Sequence, residues 1–194
     1  MDYFALLDQP RLPWLDPDAL KTKFHALSNA AHPDRIHEAS AAEKETATKH
    51  YAELNAAYHC LREPKDRLAH LLELSLGRRP ADIQNPAGAA DLFFAIAPAA
   101  QGADQFLRQR GQAASPLARA QLYAVGLEWS DKLMQLQSRL TQRREILEAE
   151  LKHMSAAWPT APALDRLSQL YGEFSFLKRS SEQIHERLSR LAVD

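Results

Sequence analysis

Apolar residues recur along this chain at steps of three and four, the repeat that lines one face of an α-helix. No stretch alternates apolar and polar residues long enough to read as a strand. Tyr3 to Asp8 predicts a short first helix, and Pro10 and Pro13 then force an extended connection. Asp16-Pro17 opens a second helix, with a carboxylate N-cap and proline at the first helical position, and Leu20, Phe24, Leu27 and Ala31 form its stripe. Ser40-Ala41-Ala42-Glu43 supplies a capping box for a third, carried by Ala47, Tyr51, Leu54, Tyr58 and Leu61. Glu63-Pro64 restarts the chain into a fourth, with Leu68, Leu71, Leu72 and Leu76, ending at Gly77.

Glycine and proline stops cluster in residues 77–88, which reads as a linker between two domains, 1–76 and 89–194. Beyond it, Ala89 to Ala97 predicts a short apolar helix stopped by Pro98, with a second short piece around Gln105 to Arg110. Ser115-Pro116 caps a long helix in which Trp129, Leu133, Leu136, Leu140, Leu147, Leu151, Met154 and Trp158 follow a near-heptad spacing. Pro159 and Pro162 end it, and a last helix repeats the pattern from Leu164 to Leu191. Two long helices with narrow stripes need a third partner to close a core, and residues 89–110 supply the candidate. The expected fold is therefore all-α, with a three-helix bundle at residues 89–194.

Composition narrows the function classes. With 194 residues, 45% of them apolar, the chain can bury two small cores, and six glycines leave helix favoured throughout. Lys plus Arg is 24 against 25 for Asp plus Glu, so no global field draws the chain to nucleic acid or an anionic membrane. The single Cys60 excludes an internal disulfide and a multi-cysteine zinc site, which fits a reducing compartment, and no apolar run reaches membrane-spanning length. A cytoplasmic home is expected. His25, His32 and His37 lie near one another, but no metal-binding spacing supports a metal site, and no glycine-rich phosphate loop supports nucleotide binding. No cofactor is expected.

His32-Pro33-Asp34 stands where the second and third helices meet. At average residue frequencies the tripeptide arises by chance in a chain this long on the order of one time in a hundred. It is accompanied by Asp2-Tyr3-Phe4-Ala5-Leu6-Leu7 at the start, and by the run from Tyr51-Ala52-Glu53-Leu54-Asn55 to Arg62-Glu63-Pro64 with Arg67 after it. Together these resemble the J-domain of DnaJ-type co-chaperones over residues 1–76, a four-helix module. Met1-Asp2-Tyr3-Phe4, Leu68-Ala69-His70-Leu71-Leu72 and Arg179-Ser180-Ser181-Glu182-Gln183 narrow the resemblance to the HscB family, J-type co-chaperones of iron–sulfur cluster assembly.

That resemblance implies a non-enzymatic role, with two protein partners. A DnaK-type (HscA-like) chaperone would dock on His32, Pro33 and Asp34, flanked by the basic Lys21, Lys23 and Arg35, and its ATPase would be stimulated. Proline at the loop tip would hold the Asp34 carboxylate out for a charge-assisted bond from a partner arginine. An IscU-like scaffold protein would bind the bundle. The candidate surface is Leu92, Phe93 and Phe94, apolar on every side of a helix, with Phe174 or Phe176. The latter two stand two positions apart, so they cannot share one helix face and one of them is expected at the surface. Leu92 to Ile96 fits burial in the bundle equally well. Two further readings stay open, a J-protein for another client and a structural adaptor whose loop does not dock.

Overall fold

A computed structural model describes residues 1–32, 40–81, 86–113 and 115–192. Among these residues the chain is all-α, without a strand: α1 (Tyr3–Leu6), α2 (Pro17–Ala30), α3 (Ala41–Arg62), α4 (Pro64–Leu76), α5 (Ala90–Gln112), α6 (Pro116–Met154) and α7 (Ala161–Ala192), with single 3₁₀ turns at Ala87–Ala89 and Ser155–Ala157. The start signals operate as their chemistry dictates. Asp2 and Asp16 each accept two backbone N–H groups at a helix N-terminus, and Ser40 and Glu43 form the reciprocal capping box. Gly77 ends α4 in the left-handed region at φ 67°, which suits a residue without a Cβ.

The chain divides into two compact units. The first comprises Met1–Ala81 with Glu148–Tyr171, and the second comprises Asp82–Leu147 with Gly172–Asp194, so α6 and α7 contribute to both.

In the first unit α3 is the central element, packing on α1, α2 and α4. Phe4, Leu7, Leu20, Leu54, Leu61, Leu68 and Leu72 are its buried core. Through the same core passes a buried cation. Arg67, 4% exposed, donates from Nε to the Pro13 carbonyl at 2.9 Å and from NH1 to the Leu61 carbonyl at 2.6 Å. The residue-148 to residue-171 segment belongs to this unit through the Trp14 N–H, which donates to Ser155 Oγ, and through Lys152, whose ammonium lies 4.8 Å from the Trp14 ring centre.

In the second unit α5 is one continuous helix across Pro98, where the sequence predicts a stop. Proline removes one N–H and crowds the carbonyl four residues back, but it stands on the exposed face. The opposite face buries Leu92, Ile96, Ala99, Ala103 and Phe106, and that packing holds the helix together through the defect. Leu133, Leu136, Leu140 and Leu147 of α6 and Leu177, Ile184 and Leu191 of α7 complete the core, as their spacing predicts. Gly102 is required by fit, since a methyl group there would overlap the Trp129 ring. Glu173, 2% exposed, is neutralised by Arg143 at 2.6 Å, whose guanidinium also reaches the Gly88 carbonyl.

Arg67→Ala should lower the unfolding free energy by about 3 kcal/mol, because two buried carbonyls lose their donor. Chemical denaturation reads this directly, and a change within experimental scatter would reject the role given to the buried cation. A second expectation concerns pH. His70 Nε2 accepts the Tyr3 N–H at 3.0 Å and its ring stacks on Phe4, an arrangement open only to the neutral imidazole. Burial pushes its pKa below 6.5, outweighing the Asp2 and Glu73 carboxylates that pull the other way. The folded state thus binds fewer protons than the unfolded one just below pH 6.5, so stability is full above that pH and declines as pH falls through the window beneath it. The Tm of His70→Phe should show a shallower slope over that window than the unsubstituted chain.

Candidate functional site

The helical hairpin of α2 and α3 carries the first candidate site. Its two helices are held by aromatic rings near the open end, where Phe24 stacks on Tyr58 with centroids 4.2 Å apart and Arg62 lies 5.8 Å from the Tyr58 centroid. Toward the other end His32, one residue past the α2 cap at Ala31, meets Tyr51 edge-on at 5.2 Å and is half-buried. His32 is therefore packed against α3, while Pro33, Asp34 and Arg35 lie outside the described residues. Asn55 donates its amide to the Tyr51 carbonyl one turn back, a helix-internal role.

The basic residues of α2 divide. Lys21 is exposed. Lys23 is engaged with Asp8 at 2.6 Å, and its hydrogen bond and charge hold the Asp8 carboxyl below the usual carboxylate range. Around Lys21 the open face of α2 presents Thr22, His25, Ala26, Asn29 and Ala30, so its positive charge is confined to one lysine. The engagement of Lys23 was invisible in the sequence, because Asp8 lies fifteen residues away in a different element.

Cys60 is set apart from nucleophilic chemistry. Burial pushes its thiol pKa up to about 11, and Sγ donates to the Asp66 carbonyl at 3.4 Å. Among the described residues no cluster of His, Cys, Asp and Glu could hold a metal ion, and no helix is long and apolar enough to cross a membrane.

The second candidate surface is at the start of α5. Phe93 and Phe94 are exposed, at 37% and 74%, with rings 5.7 Å apart in an edge-to-face pair, whereas Leu92 is buried. The expectation that one of Phe174 and Phe176 reaches the surface is corrected. Both are buried, at 2% and 5%, because every residue from Leu170 to Leu177 is covered and α7 here has no solvent-facing side. The two-residue offset excludes a shared helix face, but it says nothing about whether the second face is also packed. The patch therefore reduces to Phe93 and Phe94, beside Asp91, which is paired with Arg139 at 3.4 Å.

The hairpin of α2 and α3, with His32-Pro33-Asp34 in the sequence that joins them, is thus followed by α4 and the long helices α5, α6 and α7 in an all-α architecture. Among known proteins the chain is similar to HscB co-chaperones, and it matches less than half the length of the curated relative. The chain is 37% identical over 83 residues to a co-chaperone HscB homolog from Cupriavidus taiwanensis, a match covering 43% of this chain and 45% of that protein. Its fold matches the chaperone HscB from Vibrio cholerae with a TM-score of 0.65 at 19% identity, covering 98% of this chain and 99% of that one. It also matches the human co-chaperone HscB with a TM-score of 0.59 at 18% identity, covering 96% and 81%. No protein-family model matches the chain.

Truncations at the two kinds of aromatic should separate cleanly. Phe94→Ala should leave the unfolding free energy within about 0.5 kcal/mol of the unsubstituted chain, whereas Phe174→Ala and Phe176→Ala should each cost about 3–5 kcal/mol. Equal losses at all three positions would mean that Phe94 is core.

Proposed function

We propose that this chain is a J-type co-chaperone of the HscB kind, working in the bacterial cytoplasm. In this reading residues 1–76 form the J-domain, 77–88 a linker and 89–194 the client-binding domain. The single observation that carries it is the His32-Pro33-Asp34 tripeptide at the junction of α2 and α3, in a chain whose fold is that of HscB. The hairpin docks on the ATPase domain of a DnaK-type, HscA-like chaperone. Asp34 accepts a charge-assisted hydrogen bond from an arginine there, with Lys21 and Arg35 adding positive charge beside it. Hydrolysis takes place on the partner, and this chain's contribution is to favour the partner conformation that hydrolyses. With Lys23 already paired to Asp8, the electrostatic contribution of α2 rests on fewer charges than a fully basic face would offer.

The client is an IscU-like iron–sulfur scaffold protein. Phe93 and Phe94 are the anchors for it, since exposed paired aromatics next to a buried leucine suit a binding hot spot.

The chain should accelerate ATP hydrolysis by a DnaK-type chaperone of the same organism in a single-turnover assay. Asp34→Asn should abolish the acceleration with helical content unchanged, because the substitution keeps the shape and removes the charge. Scaffold binding, measured by titration calorimetry, should weaken by about 2 kcal/mol in Phe94→Ala while ATPase stimulation in the absence of scaffold is retained. Full stimulation by Asp34→Asn would reject the docking loop, and unchanged scaffold affinity would reject the aromatic patch.

A further inference from the structure

Asp8 occupies a place that glycine usually takes. It stands just past the end of α1 at φ 50°, and among the described residues it is alone, glycine aside, in the left-handed region. The backbone there forms a Schellman stop, in which the Asp8 N–H donates to the Ala5 carbonyl at 3.1 Å and the Gln9 N–H to the Phe4 carbonyl at 2.8 Å. Gly77 ends α4 in the same left-handed conformation. Aspartate tolerates that conformation better than most residues with a Cβ, but not as well as glycine. The α1 stop therefore gains nothing from a carboxylate at position 8.

What the carboxylate does is hold Lys23. Lys23 Nζ lies 2.6 Å from Asp8 Oδ2, and the two side chains are 38% and 78% exposed. A pair this open to water contributes little to folding, because solvent and salt screen it. Its effect falls instead on the charge that α2 presents. Lys21 and Lys23 are, with His25, the basic residues of that helix. Standing two positions apart, they lie on opposite flanks of the exposed strip formed by Thr22, Ala26 and Asn29. A partner surface laid along this strip meets one lysine on each side. On the Lys23 side it meets a neutral pair, with the carboxylate already seated where an acidic group of the partner would have to go.

We propose that Asp8 sets the affinity of this chain for its chaperone, by occupying Lys23 so that an acidic partner surface must displace a carboxylate before it gains the second lysine. The inference rests on the reading of α2 as the docking helix of a J-type co-chaperone. Asp8 is then a positioning residue, outside both the docking helix and its loop, that acts on the partner through Lys23.

Asp8→Asn keeps the size of the side chain and the tolerance for a left-handed backbone while removing the charge, and Asp8→Gly removes the side chain altogether. Circular dichroism should be unchanged in both. Titration of a DnaK-type chaperone of the same organism should give each variant a dissociation constant about two- to fivefold lower than that of the unsubstituted chain, with the larger difference at low salt. Combined with Lys23→Gln, either substitution should lose its gain. Affinity that is unchanged or weaker in both Asp8 variants overturns the proposal. A gain that persists without Lys23 overturns it as well, since the missing carboxylate would then act as a diffuse charge and not through that lysine. Asp34→Asn, titrated beside these variants, separates this inference from the reading beneath it. Binding that is lost in Asp34→Asn, with no gain in the Asp8 variants, overturns the role of Asp8 alone, whereas an unsubstituted chain that does not bind the chaperone overturns both.

Discussion

The guanidinium of Arg67 is the constraint on which the N-terminal unit depends. A buried cation is tolerable only where its donors are met, and two of them are met by the Pro13 and Leu61 carbonyls. Pro13 lies in the extended connection that precedes α2, and Leu61 lies in the last turn of α3. One side chain on α4 thereby ties the entrance of α2 to the exit of α3. The candidate docking loop joins the far ends of those same helices, so the register of the hairpin is set by a contact at its opposite end. The alternative of a purely apolar core would not specify that register, because apolar contacts are non-directional.

Once the hairpin is set, its surface charges are partly committed. Lys23 bonds to Asp8, in the turn after α1, so a residue that helps to hold the connection in place is no longer a free cation on the α2 face. His32 is likewise held by the Tyr51 ring. These contacts couple the stability of the fold to the geometry of the candidate site, since each ties a residue of the hairpin to a neighbouring element.

In the second unit the organising requirement is steric. Gly102 admits the Trp129 ring, and Gly88 lies against the Glu173 carboxylate, where a methyl group would collide with it. The buried Glu173 and Arg143 pair then links α7 to α6 and to the segment before α5. Directional polar contacts again fix what leucine stripes alone leave free to slide.

Helix starts, the Gly77 stop, the core stripes of α3, α4 and α6 and the His-Pro-Asp junction were all legible in the sequence, because each depends on residues within a turn or two of one another. Local hydrogen bonding by Asp2, Asp16 and Ser40, and the three-four spacing of leucines, do not wait for the rest of the chain. What the sequence left open depended on what covers a given face. Pro98 predicts a break, yet packing of the alanine and leucine face opposite it carries α5 through. Phe174 and Phe176 predict one exposed ring, yet both sides of α7 are covered. Lys23 reads as a docking charge until Asp8 arrives beside it, and nothing local in the sequence marks Arg67 as a cation enclosed by two carbonyls. Capping and periodicity are properties of neighbours in the chain, whereas burial and ion pairing are properties of neighbours in space, and only the tertiary structure brings those together.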